Sequence, residues 1–355
     1  MAYTTVNKSI EHFDAKIYTG NGSSQTLDMD NLGLLWMKNR TEGSNHNLFD
    51  SVRGGYYTSA PGPNLRPNGT TAGHGSDITS AYGITFGSSS STIGSDGGGY
   101  NYNQNGKSYV AWQWRANGAG SSNTDGTITS TVSANTTSGF SIVKWVGTNA
   151  TGTVGHGLGA TPKLVIYKNL NDSTYWYFTT TVIDGSHDLL LWPVKDAVQP
   201  FSAPVPTSSV LNLIANNDTN GSSDNIIAYC FAEKQGFSKF GTYVGNGNSD
   251  GTFVYTGFKP AFVLVKMYTS TSNGNWTMHD NSRSSSGGFN HIDKTLYPHL
   301  SNSEDTGTGR GMDMLSNGFK FTGNDEGNTS NQNYIYMAFS EAPLVGTNNV
   351  PCTAR

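Results

Sequence analysis

The sequence predicts an all-β protein built from three tandem diverged repeats, each a small antiparallel β-sandwich-like unit with long polar loops. Three observations predict this fold: few charged residues, many glycines, and a set of strand-like segments that recurs three times. Charged residues make up 13% of the 355-residue chain, and Gly contributes 44 residues. Gly and Asn supply the positive φ that tight turns need. The aromatic content of 12% provides large apolar groups that disordered chains lack.

The recurring set begins with two strands. The first ends at an aromatic residue followed by a Gly/Asn turn, and the second is a near-continuous apolar run, as expected of a strand buried on both faces. The first-strand segments are residues 17–22 (IYTGNG), 144–149 (KWVGTN) and 242–247 (TYVGNG). The second-strand segments are residues 34–38 (LLWMK), 164–168 (LVIYK) and 263–266 (VLVK). Pro162 and Pro260 precede the second strand in the later copies, where proline costs no ladder hydrogen bond.

Each copy also ends alike, with a short strand and then a strand rich in β-branched and aromatic residues. The short segments are residues 83–86, 210–214 and 318–321, and the final ones are residues 109–114, 226–231 and 334–339. The order of four elements is therefore the same three times. A period of roughly one hundred residues is far above solenoid periods, so each copy is a whole small domain or one blade of a larger assembly.

The recurrence sets the expected boundaries. We expect the first repeat and its lead-in at residues 1–118, a linker and the second repeat at 119–235, and the third repeat at 236–344. Residues 119–126, which are rich in Gly, Ser and Asn, are interpreted as the linker. The tail at 345–355 lacks periodicity and is expected to be extended.

Charge and targeting signals exclude several classes of partner. The net charge of −4 comes without a basic patch, which argues against nucleic acid binding. The N-terminus lacks the pattern of a signal peptide, and no apolar run is long enough to span a membrane. Cys230 lies in an apolar strand and is expected to be a buried thiol. Because Cys352 is the only other cysteine, no disulfide framework is expected.

Two polar features recur along with the strands. A lysine closes the second strand of each copy, at Lys38, Lys168 and Lys266, and we expect its stem on the sheet and its ammonium in water. An aspartate and an arginine three residues apart, Asp50 with Arg53 and Asp280 with Arg283, are expected to pair locally at a turn, which would be worth about 0–1 kcal/mol if exposed.

The sequence offers no set of residues that predicts catalysis, so we expect a non-enzyme without a cofactor. Ser186, His187 and Asp188 are neighbours in the chain, but a catalytic triad assembles across a fold, and a turn is the better interpretation.

Two oxygen-rich loops raise a calcium hypothesis. Asp218, Asn220 and Asp224 surround a glycine in one loop, and Asp325 lies at the same place of the next repeat. Ca²⁺ takes several oxygen ligands from such flexible turns, although an Asx-rich turn without metal is the simpler alternative.

Tyr100 and Tyr102 are the candidate glycan contacts. They follow three consecutive glycines and alternate with asparagines, and aromatic faces beside amides suit sugars. The alternative is that both tyrosines pack on their own loop.

Longer segments carry a resemblance to a family of proteins. These segments are residues 45–54, 243–247, 257–266, 334–343 and 350–355. They are similar to repeats in virion, tail-fibre-like structural proteins of marine tailed bacteriophages. The resemblance extends over nearly the whole chain and implies a particle component made in the host cytoplasm.

The resemblance leaves three functions to compare. The first is a tail fibre, spike or other host-attachment protein, homo-oligomeric, with other virion proteins and a host surface glycan or receptor as partners. The second is a capsid decoration or other scaffold protein of the virion. The third, less favoured, is a glycan-degrading enzyme, which needs paired acids that the sequence does not nominate.

Overall fold

The fold was analysed in a computed structural model, which describes residues 3–29, 32–59, 61–96, 99–270, 274–284, 290–307 and 309–345. It is an all-β structure of antiparallel sheets, as the sequence predicts, and we divide it into three units for description. The first unit has seven strands: β1 (Phe13–Thr19), β2 (Gln25–Leu27), β3 (Gly33–Asn39), β4 (Asn47–Asp50), β5 (Ile84–Phe86), β6 (Ser91–Ile93) and β7 (Ser108–Arg115). One 3₁₀ turn, Ser9–Glu11, precedes them.

The second unit is the longest. Its strands are β8 (Ser121–Asn123), β9 (Ser130–Asn135), β10 (Phe140–Val146), β11 (Gly152–Gly155), β12 (Leu164–Asn169), β13 (Trp176–Thr180), β14 (Asp188–Trp192), β15 (Gln199–Pro200), β16 (Val210–Leu213) and β17 (Asn225–Phe231). A single helical turn, α1 (Asn217–Asn220), precedes β17. Residues 119–126, predicted as a linker, instead contain the edge strand β8, because 121–123 pair with β9.

The third unit completes the described chain. Its strands are β18 (Ser238–Val244), β19 (Phe253–Tyr255), β20 (Phe258–Met267), β21 (Trp276–Asp280), β22 (His291–Ile292), β23 (Met312–Leu315), β24 (Gly318–Phe321) and β25 (Asn333–Pro343). A 3₁₀ turn, Asn281–Arg283, follows β21. Most of the predicted extended tail lies outside the described residues.

One strand order occurs in all three units. The main sheets run β1-β7-β3-β4, β10-β17-β12-β13 and β18-β25-β20-β21, and the second is extended by β14 and β15 at one edge and by β9 and β8 at the other. In each main sheet the final strand of the recurring set (β7, β17 or β25) therefore lies between the first strand of the set (β1, β10 or β18) and the second (β3, β12 or β20). This recurrence of order fits three diverged copies of one unit, which stays a prediction.

Both faces of each main sheet are buried, which explains the near-continuous apolar strands. On β20, for example, Phe262 and Leu264 face the centre of the molecule, and Val263 and Val265 face the small sheet of the same unit. The small sheets have the orders β2-β6-β5, β11-β16 and β19-β24-β23-β22. Each unit is thus sandwich-like, with a larger and a smaller sheet.

The inner faces of the three main sheets share one central core. Trp114 of β7 lies where they meet: its ring centroid is 5.1 Å from that of Phe13, 5.5 Å from that of Phe262 and 6.3 Å from that of Phe231. The void left in this core is about 10 Å³ and has an apolar lining, too small and too apolar to hold a water molecule. The units therefore pack against one another and do not form an open string.

Candidate functional site at the seam of the first two units

Each pair of units meets at a seam. There a loop of one unit lies on two neighbouring strands of the main sheet of another unit: β3 and β4, β12 and β13, or β20 and β21. An equivalent ring N–H group bonds to a backbone carbonyl at every seam. Trp176 Nε1 donates to Arg66 O at 3.2 Å, and Trp276 Nε1 donates to Val194 O at 3.3 Å. His46 Nε2 lies 3.0 Å from the carbonyl oxygen of Tyr297.

These contacts close the units into a ring. The loop of the first unit lies on the second, the loop of the second lies on the third, and the loop of the third returns to the first. The third seam also holds a two-point ion pair, in which Arg40 Nε and Nη2 donate to Glu304 at 2.8 and 2.9 Å. The sequence did not predict this closure.

The three strand-closing lysines are buried at the seams. Lys38, Lys168 and Lys266 are each 0% exposed, so the prediction of a wet ammonium is wrong. Lys168 Nζ donates to Thr70 O of the first unit at 3.1 Å, and Lys266 Nζ donates to Lys195 O of the second unit at 3.0 Å. All three side chains lie on the inner face of their sheet, where backbone carbonyls replace water as acceptors. For Lys38 the acceptor is Asn39 O of its own unit, at 2.7 Å.

The buried lysines predict a pH dependence of stability. Burial lowers the pKa of Lys38 and Lys266 to about 7 and that of Lys168 to about 8, from 10.5, although the carbonyl acceptors favour the charged form. Between the folded and unfolded pKa values the unfolded chain binds more protons, so the free energy of unfolding rises with pH, by at most about 1.4 kcal/mol per pH unit for each lysine.

We therefore expect a higher urea midpoint at pH 8.5 than at pH 7.0, measured by tryptophan fluorescence. The range ends at 8.5 because burial raises the pKa of Cys230 from 9.0 to about 12, which opposes the rise above pH 9. Lys266→Met is expected to reduce the rise. A midpoint that falls between these pH values would contradict the assignment.

The two Asp/Arg pairs form locally, as predicted, and both are buried. Arg53 Nε lies 2.5 Å from Asp50 Oδ2, and Arg283 Nε lies 2.6 Å from Asp280 Oδ2. Each aspartate also accepts a hydrogen bond across a seam: Tyr229 Oη donates to Asp50 at 2.9 Å, and Trp112 Nε1 donates to Asp280 at 2.8 Å. The pairs therefore link units.

A buried asparagine lies five residues before the final strand of each unit. Asn103, Asn220 and Asn328 are all 0% exposed. Each joins the turn after the first strand to the loop before the last: Asn220 Oδ1 accepts from Thr148 N at 3.1 Å, and its Nδ2 donates to Ala150 O at 2.8 Å. The constant spacing in the sequence could have revealed this residue.

The residues of the calcium hypothesis are engaged in hydrogen bonds and ion pairs. Asp218 Oδ2 accepts from Tyr177 at 3.0 Å, and Asp224 Oδ2 accepts from Asn169 at 2.8 Å. Asp325 lies in the third unit, with Oδ2 at 3.5 Å from Arg310 Nε. Within the described ranges, no group of three or more His, Cys, Asp or Glu residues could hold a metal ion. Calcium binding stays a prediction that calorimetric titration with Ca²⁺ tests.

The amide of Asn220 predicts a measurable stability effect. Asn220→Ala is expected to lower the free energy of unfolding by about 1–3 kcal/mol, because buried backbone groups lose their partners. The control is Asn217→Ala in the same helical turn, at an exposed position, with an expected effect within about 0.5 kcal/mol. Urea unfolding of both variants checks this, and equal effects would contradict the role of Asn220.

The prediction of glycan contact at Tyr100 and Tyr102 is wrong. The two residues are 7% and 1% exposed, and their rings stack at 6.1 Å inside the core of the first unit. Tyr102 Oη donates to Tyr82 O. The alternative, that both pack on their own loop, holds for the contact between the two rings, but Tyr102 also packs on Phe49 of β4 at 5.7 Å. The apolar ring area outweighs the polar neighbours, and a carbonyl satisfies the hydroxyl of Tyr102.

Two other predicted features have the expected local structure. Cys230 is a buried free thiol. Ser186 lies in a bend, where its Oγ donates to Asp184 at 2.6 Å; His187 Nδ1 lies 2.8 Å from Ala203 O, and Asp188 begins β14. Among the described residues no helix is long and apolar enough to cross a membrane.

The seam between the first two units also bears a groove, which sequence reasoning missed. It consists of two adjoining cavities of about 300 and 120 Å³ that share Pro61 and Leu170 in their linings. We call them the large and the small cavity. The groove is built by the loop after β4 and by the ends of β10 and β12, so its two walls come from different units. A signal for it in the sequence is the long connection between β4 and β5.

The small cavity is lined by hydroxyl groups and cations. Tyr56 (40% exposed), Thr58 and Ser59 lie on one side, and the partly exposed Lys144 of β10 lies on the other. Arg53 forms part of the lining, but its charge is balanced by Asp50. In the described part of the chain Lys144 makes no ion pair, so the small cavity presents an uncompensated ammonium.

The large cavity is more mixed in character. It is lined by Tyr57, His74, Asp77 and Asn171, together with several glycines. Burial lowers the pKa of His74, and the nearby Arg66 lowers it further, so the imidazole is neutral at pH 7. Asp77 is exposed and provides a carboxylate at this end. The groove is therefore cationic at one end and anionic at the other.

A further cavity lies at the seam of the third and first units and has an acidic lining. The loop after β21 lies on β1 there, as the loop after β4 lies on β10, and a cavity of about 140 Å³ results. Its lining includes Asp14 and Glu341, and Glu341 pairs with Lys259 at 2.9 Å. Burial raises the pKa of Asp14. The strand register places Ile17 of β1, and not Asp14, at the position of Lys144 on β10, so this cavity lies at a different point along its strand.

Fold and groove together define a class: an all-β protein whose three sandwich-like units enclose one core and carry polar grooves at their seams. The chain belongs to the family of the domain of unknown function DUF7483, whose model matches residues 8–343. The match therefore extends over all three units. No curated protein matches the chain.

Proposed function

We propose that this protein is a structural component of a tailed-phage virion, a tail fibre, spike or other host-attachment protein that presents a surface and does not catalyse a reaction. The observation that carries the proposal is the closed ring. Three units share one core, and the loops at their seams differ from unit to unit and present exposed residues such as Tyr56, Thr58 and Ser59. Loops on a rigid scaffold are a frequent basis of binding surfaces.

Two further features support a role in presentation. The seams are held by buried hydrogen bonds, such as those of Trp112 with Asp280 and Tyr229 with Asp50, which fix the relative positions of the units. The low share of charged residues, 13%, leaves a surface rich in amides and hydroxyls. The likeness of residues 257–266 and 334–343 to repeats of marine phage proteins supports the virion assignment.

Immunogold labelling of intact particles tests the proposal. Label at the tail or its fibres, together with inhibition of adsorption by excess purified protein, is the expected result. Label confined to the capsid shell would favour the alternative of a decoration protein, and particles without label would contradict a virion role. Release of reducing ends from host glycan by the purified protein would contradict the non-enzyme assignment.

A further inference from the structure

We propose that the groove at the seam of the first two units binds an anionic oligosaccharide. A carboxylate or sulfate of the ligand lies against Lys144 in the small cavity, and a neighbouring sugar ring occupies the large cavity. The inference rests on the proposed function for its biological role, since it names the ligand class through which the surface would attach.

The first argument is charge. The chain has a net charge of −4, yet the small cavity contains Lys144 and Arg53 and no acidic lining residue. Because Asp50 pairs with Arg53 at 2.5 Å, the free charge is that of Lys144. An ammonium and a ligand carboxylate or sulfate form a charge-assisted hydrogen bond, which is shorter and stronger than a neutral one.

The second argument is the mixture of aromatic and hydroxyl groups. Sugar rings have apolar faces that pack on aromatic rings and hydroxyl groups that need hydrogen-bond partners. Tyr56 is 40% exposed beside Lys144, and the exposed hydroxyls of Thr58 and Ser59 line the same cavity. A small inorganic anion would use the ammonium alone and leave these groups unused.

The third argument is the length and polarity of the groove. The large cavity of about 300 Å³ has the size of a small ligand site. Its Asp77 accepts hydrogen bonds from sugar hydroxyls but repels an anionic group. The side-chain oxygen of Asn171 accepts a hydrogen bond from the backbone N–H of Asn225 at 2.7 Å. Its side-chain nitrogen can therefore donate to a sugar hydroxyl. The charge of Asp77 thus directs the anionic group to the Lys144 end.

The cavity at the seam of the third and first units indicates how many ligands one chain should bind. This cavity is lined by Asp14 and Glu341, and no described lysine or arginine is part of its lining. It therefore offers an anionic ligand no cation comparable to Lys144. We therefore expect one anionic oligosaccharide per chain.

Isothermal titration of the full chain at low salt tests this proposal. The probes are a short oligogalacturonate, a sulfated oligosaccharide, a neutral galacto-oligosaccharide and inorganic sulfate. We expect binding of at least one anionic oligosaccharide, with the neutral one about tenfold weaker or worse, as one lost charge-assisted bond implies. The bound class distinguishes a carboxylate source from a sulfate source.

Matched variants locate the site. Lys144→Gln is expected to weaken binding by about tenfold or more, and Tyr56→Ala by several fold. Lys163→Gln, the same charge change at an exposed position at the other end of β12, is expected to leave it unchanged. Circular dichroism melts check that the variants remain folded.

Three results would overturn the inference: no binding of either anionic oligosaccharide, equal binding by Lys144→Gln and the unsubstituted protein, or equal affinity for inorganic sulfate. These results are distinct from failure of the proposed function. Immunogold label at the tail without binding would remove only the ligand, whereas binding by a protein absent from particles would remove only the virion role.

Discussion

Replacement of Asp280 by alanine is expected to lower the free energy of unfolding by about 3–5 kcal/mol, since it removes the nearest anion of the buried Arg283 and the acceptor of the buried Trp112 Nε1. Both side chains of the Asp280–Arg283 pair are 0% exposed, and their atoms Oδ2 and Nε are 2.6 Å apart. Arg283 would retain Met278 O, at 2.9 Å, and Glu304 as acceptors, but would lose its nearest anion. Urea unfolding followed by fluorescence and circular dichroism measures the change.

Two controls test whether the expected loss of stability comes from the burial of Asp280 and not simply from the loss of an aspartate. Asp28→Ala removes the same group at a site where the side chain is 94% exposed, and its effect is expected within about 0.5 kcal/mol. Trp112→Phe removes the N–H donor to Asp280 and keeps most of the ring. If Asp280 links the first and third units, a double-mutant cycle of Asp280→Ala with Trp112→Phe gives a coupling energy, and additive effects would contradict that link.

Trp114→Ala is expected to have a similarly large effect, about 3–5 kcal/mol, because it opens a cavity where the units meet. The ring contacts Phe13 and Trp36 of its own unit, Phe231 of the second, and Phe262 and Phe339 of the third. Collapse of the site would require movement of all three main sheets. Denaturant unfolding at 25 °C is again the measurement.

Trp114→Phe is the matched control. Trp114 Nε1 is buried without a hydrogen-bond partner, so phenylalanine removes an unsatisfied donor while it keeps an aromatic ring. Phenylalanine also occupies the equivalent places in the other units, at Phe231 and Phe339. We expect a loss within about 1 kcal/mol. A loss as large as that of Trp114→Ala would show that the site does not tolerate the smaller ring.

The strands were predictable because local pattern determines them. The runs ending at Lys38, Lys168 and Lys266 are apolar at every position before the lysine, and only a strand buried on both faces needs this. The structure confirms that β3 and β12 are buried throughout. The short segments predicted at residues 83–86, 210–214 and 318–321 coincide with β5, β16 and β24.

The ring closure and the groove were not predictable from pattern. They depend on loops whose backbone carbonyls, such as those of Thr70, Val194 and Tyr297, carry no sequence signature. Lys168 and Lys266 were misread for this reason: a long charged side chain usually extends to water, and their alternative acceptors include carbonyls of another unit. Tyr100 was misread because its glycine and asparagine neighbours indicate an exposed loop.

The most direct measurement of the central claim, that three units close around one core, is differential scanning calorimetry of the full chain. One core shared by all three main sheets predicts a single transition with calorimetric and van't Hoff enthalpies that agree. Asp280→Ala in the third unit and Trp114→Ala in the first should each shift that whole transition. Separate transitions, of which each variant moves only its own, would contradict the closed ring.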